Sequence, residues 1–182
     1  MKRTILLLVS FVVVAGALPA FAQVVPSATG RRISLSAGGM GSAGQPDYAS
    51  RGIAETSPNR LYGFGAYVDF RLSRWVQLEA EVRQLQWNQQ AYANGENTYA
   101  IGLREPIHTF GRITPYGKAL VGFGSGSFLT GRASMYAMGG GVDYRLNKRF
   151  TLRAFDFEFQ QWRVTPTLRP YEGSVGLSYK IF

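Results

Sequence analysis

From Tyr62 to Val82 the chain alternates between apolar and polar residues, turns within two residues, and alternates again. Tyr62, Phe64, Ala66, Val68, Phe70 and Leu72 hold one parity, while Gly63, Gly65, Tyr67, Asp69 and Arg71 hold the other. After Ser73-Arg74, the residues Val76, Leu78, Ala80 and Val82 oppose Gln77, Glu79, Glu81 and Arg83. A period of two sends successive side chains to opposite faces of a sheet, so this segment predicts a tight β-hairpin. One face carries no charge and the other carries both signs. Which face meets water decides what kind of protein this is.

The N-terminus bears on that question. Lys2-Arg3 precede the apolar run Ile5–Ala15, and the segment closes on Ala20-Phe21-Ala22. A positive start, a short apolar core and an Ala-x-Ala end are the parts of a secretory signal peptide over residues 1–22, with cleavage after Ala22. The apolar run is shorter than the roughly 20 residues of a spanning helix. Residues 23–30 read as a flexible N-terminus and 31–182 as one domain. An exported chain with no cysteine folds without disulfides. The formal charge of +9, of which Lys2 and Arg3 supply two, is spread through strands and turns. No nucleic-acid partner is expected for such an exported chain; anionic lipid head groups or acidic glycans suit its basic surface better.

The same alternation recurs in Arg31–Gly39, Thr98–Arg104, Pro115–Gly124, Tyr136–Leu146 and Ser174–Phe182, with Leu120 as an apolar misfit on a polar face. An eighth strand, Arg149–Gln160, changes parity in its middle. A β-bulge near Ala154-Phe155 would return Arg153, Asp156 and Glu158 to one side. Segments 41–60, 88–97, 125–133 and 161–172 are long and rich in Gly, Ser, Asn and Pro, whereas Ser73-Arg74, Glu105–Gly111 and Asn147-Lys148 are short. Long and short connections take turns, so the expected fold is all-β: an eight-stranded antiparallel up-and-down transmembrane β-barrel.

A lipocalin-type barrel has the same periodicity with its apolar face inward. Three features favour the membrane form. Aromatics gather near strand ends: Tyr62, Trp87, Tyr99, Tyr136 and Trp162 towards the long loops, and Phe70, Trp75, Tyr144 and Phe150 towards the short turns. These are the expected membrane-interface girdles. Trp75, Trp87 and Trp162 fit only if parity loosens at the rims. The polar face mixes small residues with paired charges, as a narrow interior requires. The apolar face lacks charge, and one Lys or Arg facing lipid at mid-membrane costs about 2–4 kcal/mol.

The Gly-rich alternating strands, the run Gly139-Gly140-Gly141-Val142-Asp143-Tyr144-Arg145-Leu146-Asn147-Lys148-Arg149-Phe150-Thr151-Leu152-Arg153 and the aromatic C-terminus resemble the small eight-stranded outer-membrane β-barrel proteins. The likeness is to the porin-like transmembrane domain of outer-membrane protein A and covers about Arg31–Phe182. It implies residence in the cell outer membrane of a Gram-negative envelope, among outer-membrane lipids and lipopolysaccharide. It also implies escort by periplasmic chaperones and delivery to the outer-membrane insertion machinery. That machinery would read Tyr179 and the terminal Phe182 as the insertion signal, although Phe182 has the parity of Lys180 and Ser178.

Asp69, Arg71, Glu79, Glu81, Arg83, Arg104, Lys118, Asp143, Arg145, Arg153, Asp156 and Glu158 are the expected lumen charge network. They would form a salt-bridged plug rather than line a pore, since eight strands leave little interior space. Glu79 and Glu81 resemble a glycosidase carboxylate pair, yet on one strand beside arginines they suit an ion-pair network. Gly39-Met40-Gly41-Ser42-Ala43-Gly44 matches G-x-G-x-x-G without a following helix to hold a pyrophosphate, and reads as the entrance to the first long loop. His108, the single histidine, falls in a short-turn connection, where a structural role is expected. No catalytic, cofactor-binding or metal residues are expected. The reading is a non-enzymatic barrel with a structural or surface-interaction role. Its long loops would offer Tyr48, Arg51, Tyr92, Arg132, Trp162, Arg163 and Arg169. The alternatives are a narrow ion or small-solute porin and, third, an outer-membrane lipid-modifying enzyme.

Overall fold

The computed structural model describes residues 33–47, 60–73, 76–87, 95–126 and 129–182, without the side chain of Trp87. The expected signal peptide and residues 23–30 lie outside them, as do Tyr48, Arg51, Tyr92 and Trp75. Eight strands follow one another: β1 Ser34–Gln45, β2 Leu61–Arg71, β3 Gln77–Trp87, β4 Glu96–Pro106, β5 Ile113–Gly126, β6 Ala133–Arg145, β7 Phe150–Trp162 and β8 Tyr171–Lys180. Each pairs antiparallel with the next, and β1 pairs with β8 to close the barrel. Closure leaves no unpaired sheet edge, the condition for strands to cross a hydrocarbon layer.

The distribution of side chains is the reverse of a water-soluble fold. Phe64 is 61% exposed, Val121 62% and Met138 62%, whereas Glu79 is fully buried and Arg153 is 1% exposed. The apolar parity therefore forms the outer wall and the charged parity fills the lumen. With charge buried inside and a continuous apolar belt outside, the barrel is of the transmembrane type.

The bulge expected in β7 is present. Val142 pairs with Phe155 but Asp143 pairs with Arg153, and against β8 the register shifts between Arg153 and Asp156. The extra residue lets Arg153, Asp156 and Glu158 all face inward and become buried. A second shift on β3 places Tyr62 opposite Trp87 and Gly63 opposite Leu85.

Several strands run further towards the long-loop end than the alternation indicates. β1 continues to Gln45, so Gly39–Gly44 is strand paired on both sides and not the entrance to a loop. Its outward positions are Gly39, Gly41 and Ala43, too small to register as an apolar face, so backbone pairing extends where side-chain pattern fades. β4 likewise begins earlier, at Glu96, and β8 at Tyr171.

At this end the lumen changes character. Ala100, Leu120, Ala133, Met135, Ala137, Trp162 and Leu168 form an inward apolar cluster. Leu120, the misfit of its strand, belongs to this layer. Trp162 was expected in the outer girdle but is completely buried, and its indole N–H donates to Gln160 Oε1 at 2.9 Å. It occupies space left by Gly124, where a Cβ would come within 2.5 Å of the ring. Trp162→Ala is expected to lower stability by about 3–5 kcal/mol, and Gly124→Val by about 1–3 kcal/mol. Since both act on one volume, the double variant should lose less than the sum, as read from urea unfolding in detergent micelles.

Candidate functional site: the charged lumen

Four cations organise the interior. Arg83 on β3 donates through Nη1 to Glu172 Oε2 at 2.6 Å and through Nη2 to Glu81 Oε2 at 3.1 Å and Asp156 Oδ2 at 3.2 Å; Nη2 also bonds Glu158 Oε1. Lys118 on β5 reaches Glu79 at 3.1 Å, Glu81 at 3.2 Å and Asp156 at 2.8 Å, and it too pairs with Glu158. Arg153, aimed inward by the β7 bulge, holds Glu79 Oε2 at 2.6 Å. Arg104 on β4 holds Asp143 at 2.6 Å, Glu79 at 3.3 Å and Asp69 at 3.4 Å.

Two tyrosines complete the packing. The Arg153 guanidinium lies 3.7 Å from the centre of the Tyr67 ring, and that of Arg104 lies 3.7 Å from the Tyr116 ring. Tyr116 O–H donates to Asp156 Oδ1 at 2.8 Å. Aromatic faces thus cover the planar surfaces of two arginines whose edges bond carboxylates, which uses both recognition modes of a guanidinium. Nearer the long-loop end, Ser42 and Ser174 share a hydrogen bond of 3.0 Å.

Asp69, Glu79, Glu81, Arg83, Arg104, Lys118, Asp143, Arg153, Asp156 and Glu158 are thus brought together. Arg71 and Arg145 are not. Both have inward parity, but they stand at the last residue of their strands, where the lumen opens, and both are exposed. Arg145 Nη2 donates instead to the Gly111 carbonyl at 3.2 Å. Glu172 and Glu96, both buried, were hidden because the sequence assigns them to loops. Tyr67 and Tyr116 had a visible signal in their polar parity.

Among the described residues, seven carboxylates are buried, Asp69, Glu79, Glu81, Glu96, Asp156, Glu158 and Glu172, against the four cations. The interior is therefore anionic in composition. Glu81, Asp156 and Glu158 present oxygens within 4.8 Å of one another, a spacing that suits a metal ion. Lys118 Nζ and Arg83 Nη2 already bond these carboxylates, so the positive charge that a metal would contribute is in place. Glu79 and Glu81 both hold Lys118, as members of the network. His108 lies on the connection between β4 and β5, exposed, with its ring 4.6 Å from that of Phe110.

Of the expected girdle, Tyr62, Tyr99 and Phe150 are exposed on the outer wall, and Phe70, Tyr136 and Tyr144 are half-buried. Tyr179 is exposed as well. Phe182 follows the end of β8, but its carbonyl accepts from Leu35 N at 3.2 Å, which continues the pairing with β1 to the last residue.

Removing one partner from a buried ion pair strands the other in a medium that solvates it poorly. Arg83→Met is expected to cost about 3–5 kcal/mol, whereas Arg71→Gln should change stability by no more than about 0.5 kcal/mol. Urea titration of both variants in micelles checks this, and similar losses would remove Arg83 from its central place.

No family model matches the sequence, and no curated protein is similar to it. Solved structures are similar in fold. Neisserial surface protein A superposes with a TM-score of 0.58 at 12% identity, over 81% of this chain and 96% of that one. Ail, the attachment invasion locus protein of Yersinia pestis, gives 0.51 at 14% identity over 82% and 97%. The N-terminal β-barrel domain of Pseudomonas aeruginosa OprF gives 0.50 at 12% identity over 80% and 97%. This chain has the fold of the small eight-stranded outer-membrane β-barrels.

Proposed function

We propose that this protein resides in the outer membrane as a closed, non-enzymatic barrel whose lumen is structural and whose long loops contact partners outside the cell. The observation that carries the reading is the lumen itself. Lys118 and Arg83 knit Glu79, Glu81, Asp156, Glu158 and Glu172 across it, with the Trp162 layer stacked above. Eight strands leave an interior just wide enough for such side chains to fill, which argues against a wide water path.

Function then falls to the rims, as it does in many rigid scaffolds. Arg132, Arg163 and Arg169 are exposed at the long-loop end, and cations there suit lipopolysaccharide phosphates or an acidic foreign surface. The Arg169 amide donates to Asp47 Oδ2 at 3.0 Å, which ties the last loop to the end of β1. Similarity in fold to proteins named for the Neisserial surface and for attachment agrees with this role. Tyr179 and Phe182 serve as the signal for the insertion machinery, after passage with periplasmic chaperones.

The second reading, a narrow porin, draws support from the excess of buried carboxylates, which would make any conducting path cation-selective. Membrane fractionation and planar-bilayer recording test both. The chain is expected in the outer-membrane fraction and, when purified, to give no large, long-lived conductance; stable cation-selective openings would transfer the reading to a porin.

A further inference from the structure

We propose that the short-turn end of the barrel is a docking surface for the anionic phospholipid head groups of its own leaflet; this rests on the outer-membrane reading above. Arg71, Arg112, Arg145, Lys148, Arg149 and Lys180 are all exposed at this end, and among the described residues the exposed acidic side chain beside them is Glu105. None of the six makes an ion pair among the described residues.

The fold holds these like charges close together. Arg145 N donates to the Arg112 carbonyl at 2.8 Å, which sets one pair side by side, and Lys180 N donates to the Arg149 carbonyl at 2.7 Å, which joins Lys180 to Lys148-Arg149. Clustered cations repel, and an anion seated among them relieves the repulsion.

The position of Arg149 selects the kind of anion. Its Nη1 donates to Tyr179 O–H at 3.0 Å, and Tyr179 packs edge-on against Phe150 with ring centres 5.2 Å apart. Both rings are exposed on the outer wall, so the guanidinium is held at the boundary between the apolar belt and the aqueous rim. Ile107, Phe110, Ile181 and Phe182 are exposed apolar side chains at the same end. Cations at the edge of an apolar, aromatic surface match a phosphate that is covalently attached to acyl chains. A soluble polyanion would meet only the charges.

The test uses the full chain folded in detergent, with the lipids retained read by native mass spectrometry. Dioleoyl phosphatidylglycerol and dioleoyl phosphatidylcholine are offered in equal amount, and inorganic phosphate is added as a competitor. The wild type should retain the phosphatidylglycerol at least about fivefold better. K148Q/R149Q/K180Q should abolish the preference, R149K should keep it, and R132Q/R163Q/R169Q at the opposite rim should leave it unchanged. Heat-modified gel mobility verifies that each variant is folded. Equal retention of the two lipids, equal loss in both triple variants, or displacement by millimolar phosphate would overturn the proposal. Because this binding is measured away from the cell, a negative result leaves the outer-membrane reading intact. A lipid preference in a chain that fractionates elsewhere would overturn that reading and not the binding.

Discussion

The pairing of buried charges across a narrow lumen is the interaction on which the rest of the structure depends. Desolvating an ion is expensive, and only close, well-directed partners offset the cost. Glu79 is held from three strands at once, by Arg104 on β4, Lys118 on β5 and Arg153 on β7. Arg83 on β3 bonds Asp156 and Glu158 on β7 and Glu172 on β8. Apart from Arg104–Glu79, which joins the adjacent β4 and β3, these links join strands that are not neighbours in the sheet, so they constrain the barrel across its width. Backbone pairing cannot do this, because it connects each strand only to the next. The β7 bulge is part of the same arrangement, since without it Asp156 and Glu158 would face lipid.

The lumen is divided along its length, with the ion-pair network towards the middle and the short turns and an apolar layer, beside the buried Glu96 and Glu172, towards the long loops. Trp162, Leu120 and Met135 fill their layer by packing, which requires shape, while the charged half is held by bonding, which requires counter-charge. Glycine serves both halves: Gly124 admits the indole, and Gly38 lies where a Cβ would come within 2.6 Å of the Tyr67 ring. At the rims the cations are exposed, as Arg145 is where it bonds the Gly111 carbonyl and Arg149 where it bonds the Tyr179 hydroxyl, and their surroundings give each rim its own chemistry.

Much of this was legible in the residues. Alternation in Tyr62–Val82 and its repeats indicated eight strands and the inward and outward faces, and the parity break at Ala154-Phe155 revealed the bulge. Asp69, Glu79, Glu81, Arg83, Arg104, Lys118 and Asp143 could be identified because a charged residue on a clear polar parity within a strand faces the lumen, and Arg153, Asp156 and Glu158 because the bulge restores that parity. Legibility failed where the pattern thinned. Gly39–Gln45 has no large outward side chain, so strand looked like loop, and Glu96 and Glu172 were lost with similar boundaries. Trp162 failed for another reason: its aromatic character suits either an interface or a core, and the choice depends on whether a cavity awaits it.

The sequence by itself determined the strand periodicity, the number of strands and the sign of each face, because a period of two is a local property of the chain. The tertiary structure decided which carboxylate meets which cation, where the lumen ends so that Arg71 and Arg145 fall outside the network, and that Trp162 turns inward over Gly124. These outcomes depend on register, closure and the volume enclosed, and all three arise only when β1 meets β8.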